Sequence, residues 1–171
     1  MENKELNLND FVAFLLKTNE EIQNKINIDI KNKEGLSNLK IQKLLSFIEA
    51  SFLVKFKSKL FTNDYQAWDY GPVIPELYKI LSKKFGRNTF FYNEYKKENN
   101  CNPENIKKHL TNEEFTYIKD SFIYFNKYSP FEIVALSHID GPWKEVSKNE
   151  IISKEKMLSL FKESSKKWAI L

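Results

Sequence analysis

The sequence predicts a mainly α (α+β) fold, a compact bundle of about six helices around a central apolar helix with a small two- or three-stranded β element. Three observations favour this class. Large apolar residues recur at helical spacing between positions 37 and 57. Two capping boxes, each a Ser or Thr followed three positions later by Glu, mark helix starts in the last third of the chain. Glycine and proline number 4 and 5, which disfavours a many-turned β-sandwich.

The N-terminal region combines one apolar block with an ambiguous stretch. The apolar block spans residues 10–17. It begins at the end of the polar stretch Asn7–Asp10, where a side-chain oxygen can cap a first helical turn. Between 18 and 35 the isoleucines fit a helix in one register and a strand in another. These isoleucines are Ile22, Ile26, Ile28 and Ile30. We interpret 18–35 as a charged, partly mobile connection.

Segment 37–57 is the predicted core helix. Its apolar residues keep helical spacing, and further apolar residues widen the surface beyond one face. The spaced set is Ile41, Leu44, Leu45, Ile48 and Phe52. A helix that is apolar over most of its circumference belongs in the middle of a domain.

Short aromatic-rich pieces after this helix predict the β element. Leu60-Phe61 and Tyr65–Tyr70 are poor in helix formers and suggest a small hairpin. Gly71-Pro72 is predicted to form a turn. Phe90–Tyr92 is a candidate third strand, and Asn99–Asn102 has the composition of a loop.

The remaining helices are predicted from their ends. Pro75 suits a first helical turn, and Gly86 suits a left-handed C-cap for the same helix. Its predicted buried residues are Ile74, Leu77, Ile80 and Leu81. Capping boxes at Thr111–Glu114 and Ser129–Glu132 begin two further helices, and Ser153 can cap a last one.

Cysteine, histidine and glycine usage disfavours several site chemistries. Cys101 is the single cysteine, so no internal disulfide is available and a reducing cytoplasm is expected. With two histidines, a structural zinc cluster is not expected, and we expect no metal and no cofactor. The glycines are isolated rather than clustered as in phosphate-binding loops. The longest early apolar run, Phe11–Leu16, is far too short for a membrane span.

The charge balance suggests a nucleic-acid partner only weakly. The formal net charge is +4, and Arg87 is the single arginine among 27 basic residues. Lysine lacks the planar fork that grips phosphate and guanine in a bidentate manner. The basic and aromatic residues of Tyr92–Lys97 could grip a single strand. A solvated lysine surface is the favoured interpretation, and a lysine-rich nucleic-acid-binding regulator is the alternative.

A catalytic hypothesis would start from His138. This histidine precedes Asp140 closely, and a histidine beside a carboxylate is a minimal general-base pair. No nucleophile motif accompanies the pair, and Cys101 lies in a polar loop. The favoured alternative is structural, with His138 at a helix C-terminus bonding the backbone of a turn.

Two aromatic junctions are open to two interpretations. Ala67–Val73 and Ser137–Trp143 each place large amphipathic rings beside a Gly-Pro pair. Such segments serve as well-packed helix junctions, in which the rings are buried and their polar tips bonded. They also resemble interface anchors, which are enriched in Trp and Tyr. The residues alone do not separate these roles.

Three blocks together resemble the SocA-like antitoxin family, the Panacea domain, which includes phage-associated GepA-type proteins. Leu36–Leu45 resembles its opening helix signature. Ala67-Trp68 followed by Gly71–Pro75 is similar to its Ala-Trp…Gly-Pro-Val-x-Pro signature. Leu136–His138 followed by Pro142-Trp143 resembles its closing block, with Ser137 in place of Thr. The resemblance covers about 36 to 161.

This resemblance implies a non-enzymatic, mainly helical protein. Members of that family bind and neutralise a toxin encoded by a neighbouring gene, and some deliver that toxin to a Clp-type protease. The candidate partner-binding or signature residues are Trp68, Tyr70, Gly71, Pro72, His138, Pro142 and Trp143. A stand-alone phage-associated interaction protein is the other alternative, and a homo-oligomer is compatible with either.

The predicted organisation is one domain spanning 1–171. It comprises an N-terminal helix and charged connection (1–35), a Panacea-like core (36–163) and a tail (164–171).

Overall fold

A computed structural model describes residues 1–140 and 145–165, and these form seven α-helices, two 3₁₀ segments and seven short strands. The predicted mainly α fold with a small β element is thereby confirmed. The helices are α1 (Leu8–Lys25), α2 (Asn38–Phe56), α3 (Pro75–Phe85), α4 (Tyr92–Glu98), α5 (Asn112–Asn126), α6 (Pro130–Asp140) and α7 (Lys154–Ser165). The 3₁₀ segments are Ile30–Asn32 and Pro103–His109.

The strands build three small sheets. They are β1 (Glu2–Asn3), β2 (Leu36–Ser37), β3 (Ser58–Lys59), β4 (Tyr65–Trp68), β5 (Gly71–Val73), β6 (Thr89–Phe90) and β7 (Ile151–Ile152). Strand β1 pairs in parallel with β3, β2 pairs with β6, and the third sheet has the antiparallel order β5-β4-β7.

Helix α2 is the centre of the molecule, as its apolar circumference predicts. It packs against α3, α5, α6 and α7 and against strands β2, β3 and β5. Its residues from Lys40 to Leu53 are all buried. The ring of Phe47 stacks on Phe125 of α5 with centroids 4.8 Å apart. Burying the helix on every side fixes the positions of the elements around it.

Helix α1 is longer than predicted, and the interpretation of 18–35 as a connection is wrong for residues 18–25. Asn7 caps α1 through Asp10 N, and the helix runs on to Lys25. The inner face of its second half is polar. Asn19 Nδ2 and Gln23 Nε2 both donate to the Glu34 carbonyl at 2.8 Å. These buried amides hold the following loop against the helix. Because the contact is polar, the apolar periodicity of the sequence does not reveal it.

The β-hairpin forms where aromatic residues cluster, but its turn lies two residues earlier than predicted. Trp68 pairs with Gly71, and the chain reverses at Asp69 and Tyr70. Gly71 and Pro72 are therefore in strand β5, not in the turn. Strand β5 is an edge strand, where a residue without an N–H is tolerated.

Three smaller expectations also need correction. Ile80, predicted to be buried, is 41% exposed because it lies on the outer face of α3. Gly86 ends α3 with φ +59°, but its ψ of −122° lies outside the left-handed helical region. In the segment 90–92, Phe90 ends β6 and Tyr92 begins α4, because the carboxylate of Glu94 accepts the Phe91 N–H and starts a helix there.

The predicted caps of the last third are present. Thr111 Oγ1 accepts from Glu114 N, while Glu114 accepts from Thr111 N. Ser129 and Glu132 bond each other's backbone in the same reciprocal manner. Ser153 Oγ accepts from Lys156 N at the start of α7.

Candidate functional site

The central helix carries buried polar groups on the side that faces the hairpin. Gln42 Oε1 accepts the Ile74 N–H at 2.9 Å, at the entrance to α3. Lys43, one position on, is 0% exposed, and its Nζ donates to the Pro72 carbonyl at 2.9 Å. Burial lowers the pKa of this ammonium from 10.5 to about 7. Strand β5 is therefore attached to the core helix by side-chain bonds.

Gly71 lies in β5 at a point where α2 and α6 are both close to the strand. Its φ is +94°, a conformation that L side chains rarely adopt. A Cβ built there would lie 3.0 Å from Ser137 Oγ and 3.1 Å from Lys43 Nζ. Glycine thus serves both the backbone conformation and the close packing.

His138 links α6 to the hairpin turn. Its Nδ1 lies 2.9 Å from the Val134 carbonyl, within the helix, and its Nε2 lies 3.1 Å from the Asp69 carbonyl. A neutral ring has one N–H and makes one of these bonds, whereas a doubly protonated ring makes both. The ring thus faces backbone carbonyls, as the structural alternative expects.

These residues form one unit, which we call the hairpin cluster: Lys43, Gly71, Pro72, Ser137 and His138. They come from α2, β5 and α6, elements far apart in sequence. Lys43, Gly71, Pro72 and Ser137 are buried, and His138 is exposed. The cluster therefore holds three elements together and presents little of itself to solvent.

Beside the hairpin cluster lies an exposed aromatic surface, the aromatic cleft, formed by Trp68, Tyr70 and Tyr78. The Trp68 and Tyr78 rings meet edge to face with centroids 4.9 Å apart. Tyr70 is 67% exposed and Tyr78 is 38% exposed. The cleft encloses about 360 Å³, and Leu39 and Val73 also line it. Exposed rings beside a concave apolar surface are the usual anchors of protein interfaces.

One ion pair lies at the rim of the aromatic cleft. Lys148 Nζ is 2.7 Å from a carboxylate oxygen of Asp69, and both side chains are mostly exposed. Such a pair contributes little to stability. A charged pair beside apolar rings is, however, the arrangement found at the polar rim of protein interfaces.

The structure divides the sequence-predicted site residues into three groups. Gly71, Pro72 and His138 belong to the hairpin cluster, whereas Trp68 and Tyr70 line the aromatic cleft. Pro142 and Trp143 lie outside the described residues, and so does the side chain of Asp140, so the proposed His138–Asp140 pair has no described geometry. Cys101 is half-buried, and burial raises the pKa of its thiol, which disfavours the reactive thiolate.

Three site residues were not singled out from the sequence. They are Gln42, Lys43 and Tyr78. The available signal was the polar pair Gln42-Lys43 in a helix that is apolar over most of its circumference, since buried polar side chains need partners. Tyr78 gives no such signal, because a single tyrosine on an amphipathic helix is common.

Among the described residues, no group of three or more His, Cys, Asp and Glu could hold a metal ion. None of the helices described is both long enough and apolar enough to cross a membrane.

The comparisons with known proteins give one match. The model of the family described as antitoxin SocA-like, Panacea domain, matches residues 41–144, more than half of the chain. The matched range contains the whole hairpin cluster and all three residues of the aromatic cleft. Searches of the curated proteins and of the solved structures return no significant match.

Proposed function

Because this chain belongs to the antitoxin SocA-like, Panacea domain family, we propose that it acts as an antitoxin by binding a cognate protein toxin and occluding the surface that the toxin needs. The family match is the observation that carries this proposal. No catalytic step is part of it. We place the encounter in the cytoplasm, the setting that a single unpaired cysteine favours.

We propose that the aromatic cleft contacts the toxin and that the hairpin cluster holds the cleft in position. The exposed fractions support this division, since Tyr70 and Tyr78 present ring surface to solvent while Lys43, Gly71 and Pro72 are buried. Aromatic side chains lose little conformational entropy on binding and bury large areas. The cleft is therefore the part of the hairpin region best suited to an apolar anchor from the partner.

The test is co-expression with the product of the adjacent gene. That product alone should arrest growth, co-expression of this chain should restore growth, and the two proteins should co-purify. Tyr70→Ala and Tyr78→Ala should each weaken the complex by about tenfold or more, with little change in the midpoint of thermal unfolding.

Phe131→Ala is the matched control, because Phe131 is an aromatic residue 84% exposed on α6. It should leave the complex unchanged. If Phe131→Ala weakens the complex while the two cleft variants do not, the toxin binds elsewhere. If the adjacent product is harmless alone and does not bind, the antitoxin proposal itself fails.

Delivery of the bound toxin to a Clp-type protease is a further step of the same proposal, supported by the family resemblance alone. Such delivery makes the toxin short-lived whenever this chain is present. The toxin's half-life after translation is stopped should lengthen when the protease is deleted. An unchanged half-life would leave occlusion as the whole mechanism.

A further inference from the structure

A second concave site lies on another side of α2, near the start of that helix. It encloses about 550 Å³ between the second half of α1, the loop that follows it, β2, and the junction of α5 and α6. We call it the Lys40 cavity, after the lysine in its wall. Its volume is in the range that holds small organic molecules.

Lys40 is the unusual residue of this cavity. The residue is 5% exposed, and its Nζ donates to the Asn126 carbonyl at 3.1 Å. An ammonium has three donors, and in the described part of the chain this is the one hydrogen bond that Lys40 Nζ makes. Burial lowers the pKa of Lys40 from 10.5 to about 8. The bond to the end of α5 satisfies one of the three donors and leaves the buried charge incompletely compensated.

The other charged groups of the cavity compensate Lys40 only in part, because the attraction of Glu132 is smaller than the effect of burial on the ammonium. Glu34 and Glu132 line it, but both are exposed, and the Glu132 carboxylate accepts the Ser129 N–H. Exposed charges are screened by water, whereas a buried ammonium is not. Lys127 also lines the cavity, but it is exposed as well, with its Nζ 3.8 Å from the centroid of the Tyr124 ring. The charge buried in the cavity wall is that of Lys40, and this ammonium favours an anion.

The rest of the wall combines polar groups, two satisfied amides among them, with apolar surface. The amides of Asn19 and Gln23 are engaged with the Glu34 backbone, so they do not compete for a ligand. The apolar lining is supplied by Ile28, Leu36, Tyr128 and Pro130. A ligand that matches both parts has an anionic head and a flat or apolar body.

We propose that the Lys40 cavity binds a small organic anion, a carboxylate or a phosphate monoester carried on an aromatic or apolar body, with the anionic head on Lys40 Nζ. The head supplies the acceptors that the buried ammonium lacks, and the body packs on the apolar lining. This site is independent of toxin binding at the aromatic cleft.

The experiment uses three probes of similar shape: phenyl phosphate, benzoate and the neutral benzamide. Each is titrated into the ¹⁵N-labelled chain at pH 7 while amide resonances are followed. Phenyl phosphate, benzoate or both should shift the amides of residues around the cavity, including Ser37 and Asn126, and benzamide should not. The preferred head distinguishes a phosphate ligand from a carboxylate ligand.

Lys40→Met should abolish these shifts, whereas Lys97→Met, which removes an exposed lysine of α4, should leave them unchanged. Because benzoate stays anionic, its affinity for the unaltered chain should also fall by up to about tenfold per pH unit above the Lys40 pKa. That measurement needs no variant, so it decides the matter even if Lys40→Met fails to fold.

Four results would overturn the proposal. They are equal binding of benzamide, the absence of binding by both anions, shifts that map outside the cavity, and retained binding by Lys40→Met, which would assign the anion to another group.

Discussion

Gly71 shows how a single residue joins the backbone to the packing. Its positive φ favours glycine. The positions of Ser137 and Lys43 also favour glycine, because both lie close to where a Cβ would be. Gly86 has a positive φ of +59° but nothing within 4 Å of where a Cβ would be. The two glycines therefore separate backbone strain from steric crowding.

Gly71→Ala should lower the free energy of unfolding by about 2 to 4 kcal/mol, the sum of strain and crowding. Gly86→Ala should lower it by about 1 kcal/mol, from strain alone. Urea denaturation of both variants provides the measurement. Equal losses would show that the hairpin cluster is loosely packed around Gly71.

Lys43 makes stability depend on pH. Its pKa is about 7 in the folded chain against 10.5 when unfolded, so between these values the unfolded chain binds more protons. Burying the charged Lys43 therefore costs stability in full below pH 7; this cost shrinks as pH rises through this window and is gone above the unfolded value.

The free energy of unfolding, compared with that of Lys43→Met, should rise by roughly 1 kcal/mol per pH unit between pH 7 and 9. Urea denaturation at pH 7, 8 and 9 measures it, and the other lysines cancel in the difference. Parallel curves for the two proteins would contradict a buried, neutralised Lys43.

At the scale of elements, the last helix is attached to the core by a buried ion pair. Lys154 Nζ, at the start of α7, lies 2.7 Å from Glu49 Oε1 on α2, and both side chains are buried. The same carboxylate oxygen accepts the N–H groups of Leu60 and Phe61. Burial raises the pKa of Glu49, opposed by the charge of Lys154. One carboxylate thus holds α7 and the segment after β3.

Lys154→Met should cost about 3 to 5 kcal/mol at pH 7, because it leaves a buried carboxylate without its cation. The loss should shrink as pH falls, since protonation neutralises Glu49. The matched change at an exposed pair is Lys84→Met, which removes the partner of Glu98 and should cost less than about 1 kcal/mol. Comparable losses at pH 7 would contradict the role of burial.

Elements with apolar periodicity or side-chain caps were predictable from the sequence, and those with polar contacts were not. The central helix and the caps at Thr111 and Ser129 are present as predicted. The second half of α1 was missed because Asn19 and Gln23 turn buried amides, not apolar groups, toward the fold. Two residues of the aromatic cleft, Trp68 and Tyr70, lie two positions apart and were singled out from the sequence, whereas Tyr78 joins them through tertiary packing alone.

On the scale of the whole molecule, α2 is in contact with elements from β2 to α7, the last helix of the described chain. Lys4 near β1 pairs with Glu114 of α5 at 2.8 Å, which also joins the N-terminal segment to the second half. These long-range contacts favour one cooperative unit, and the single domain stays a prediction.

Thermal unfolding should therefore show one transition, with coincident midpoints by tryptophan fluorescence and by far-UV circular dichroism. Two separate midpoints would divide the chain into independently stable parts and contradict the single-domain prediction.

The side-chain bonds of α2 also have a consequence for synthesis on the ribosome. Lys40 bonds a carbonyl that is 86 positions further along the chain, and at typical rates of translation that partner emerges roughly 4 to 17 s later. During this interval the nascent helix carries polar groups whose partners have not yet been made. A chain released before α5 is made would therefore have an incomplete core and be a substrate for chaperones and proteases. The supply of active protein thus depends on completing translation.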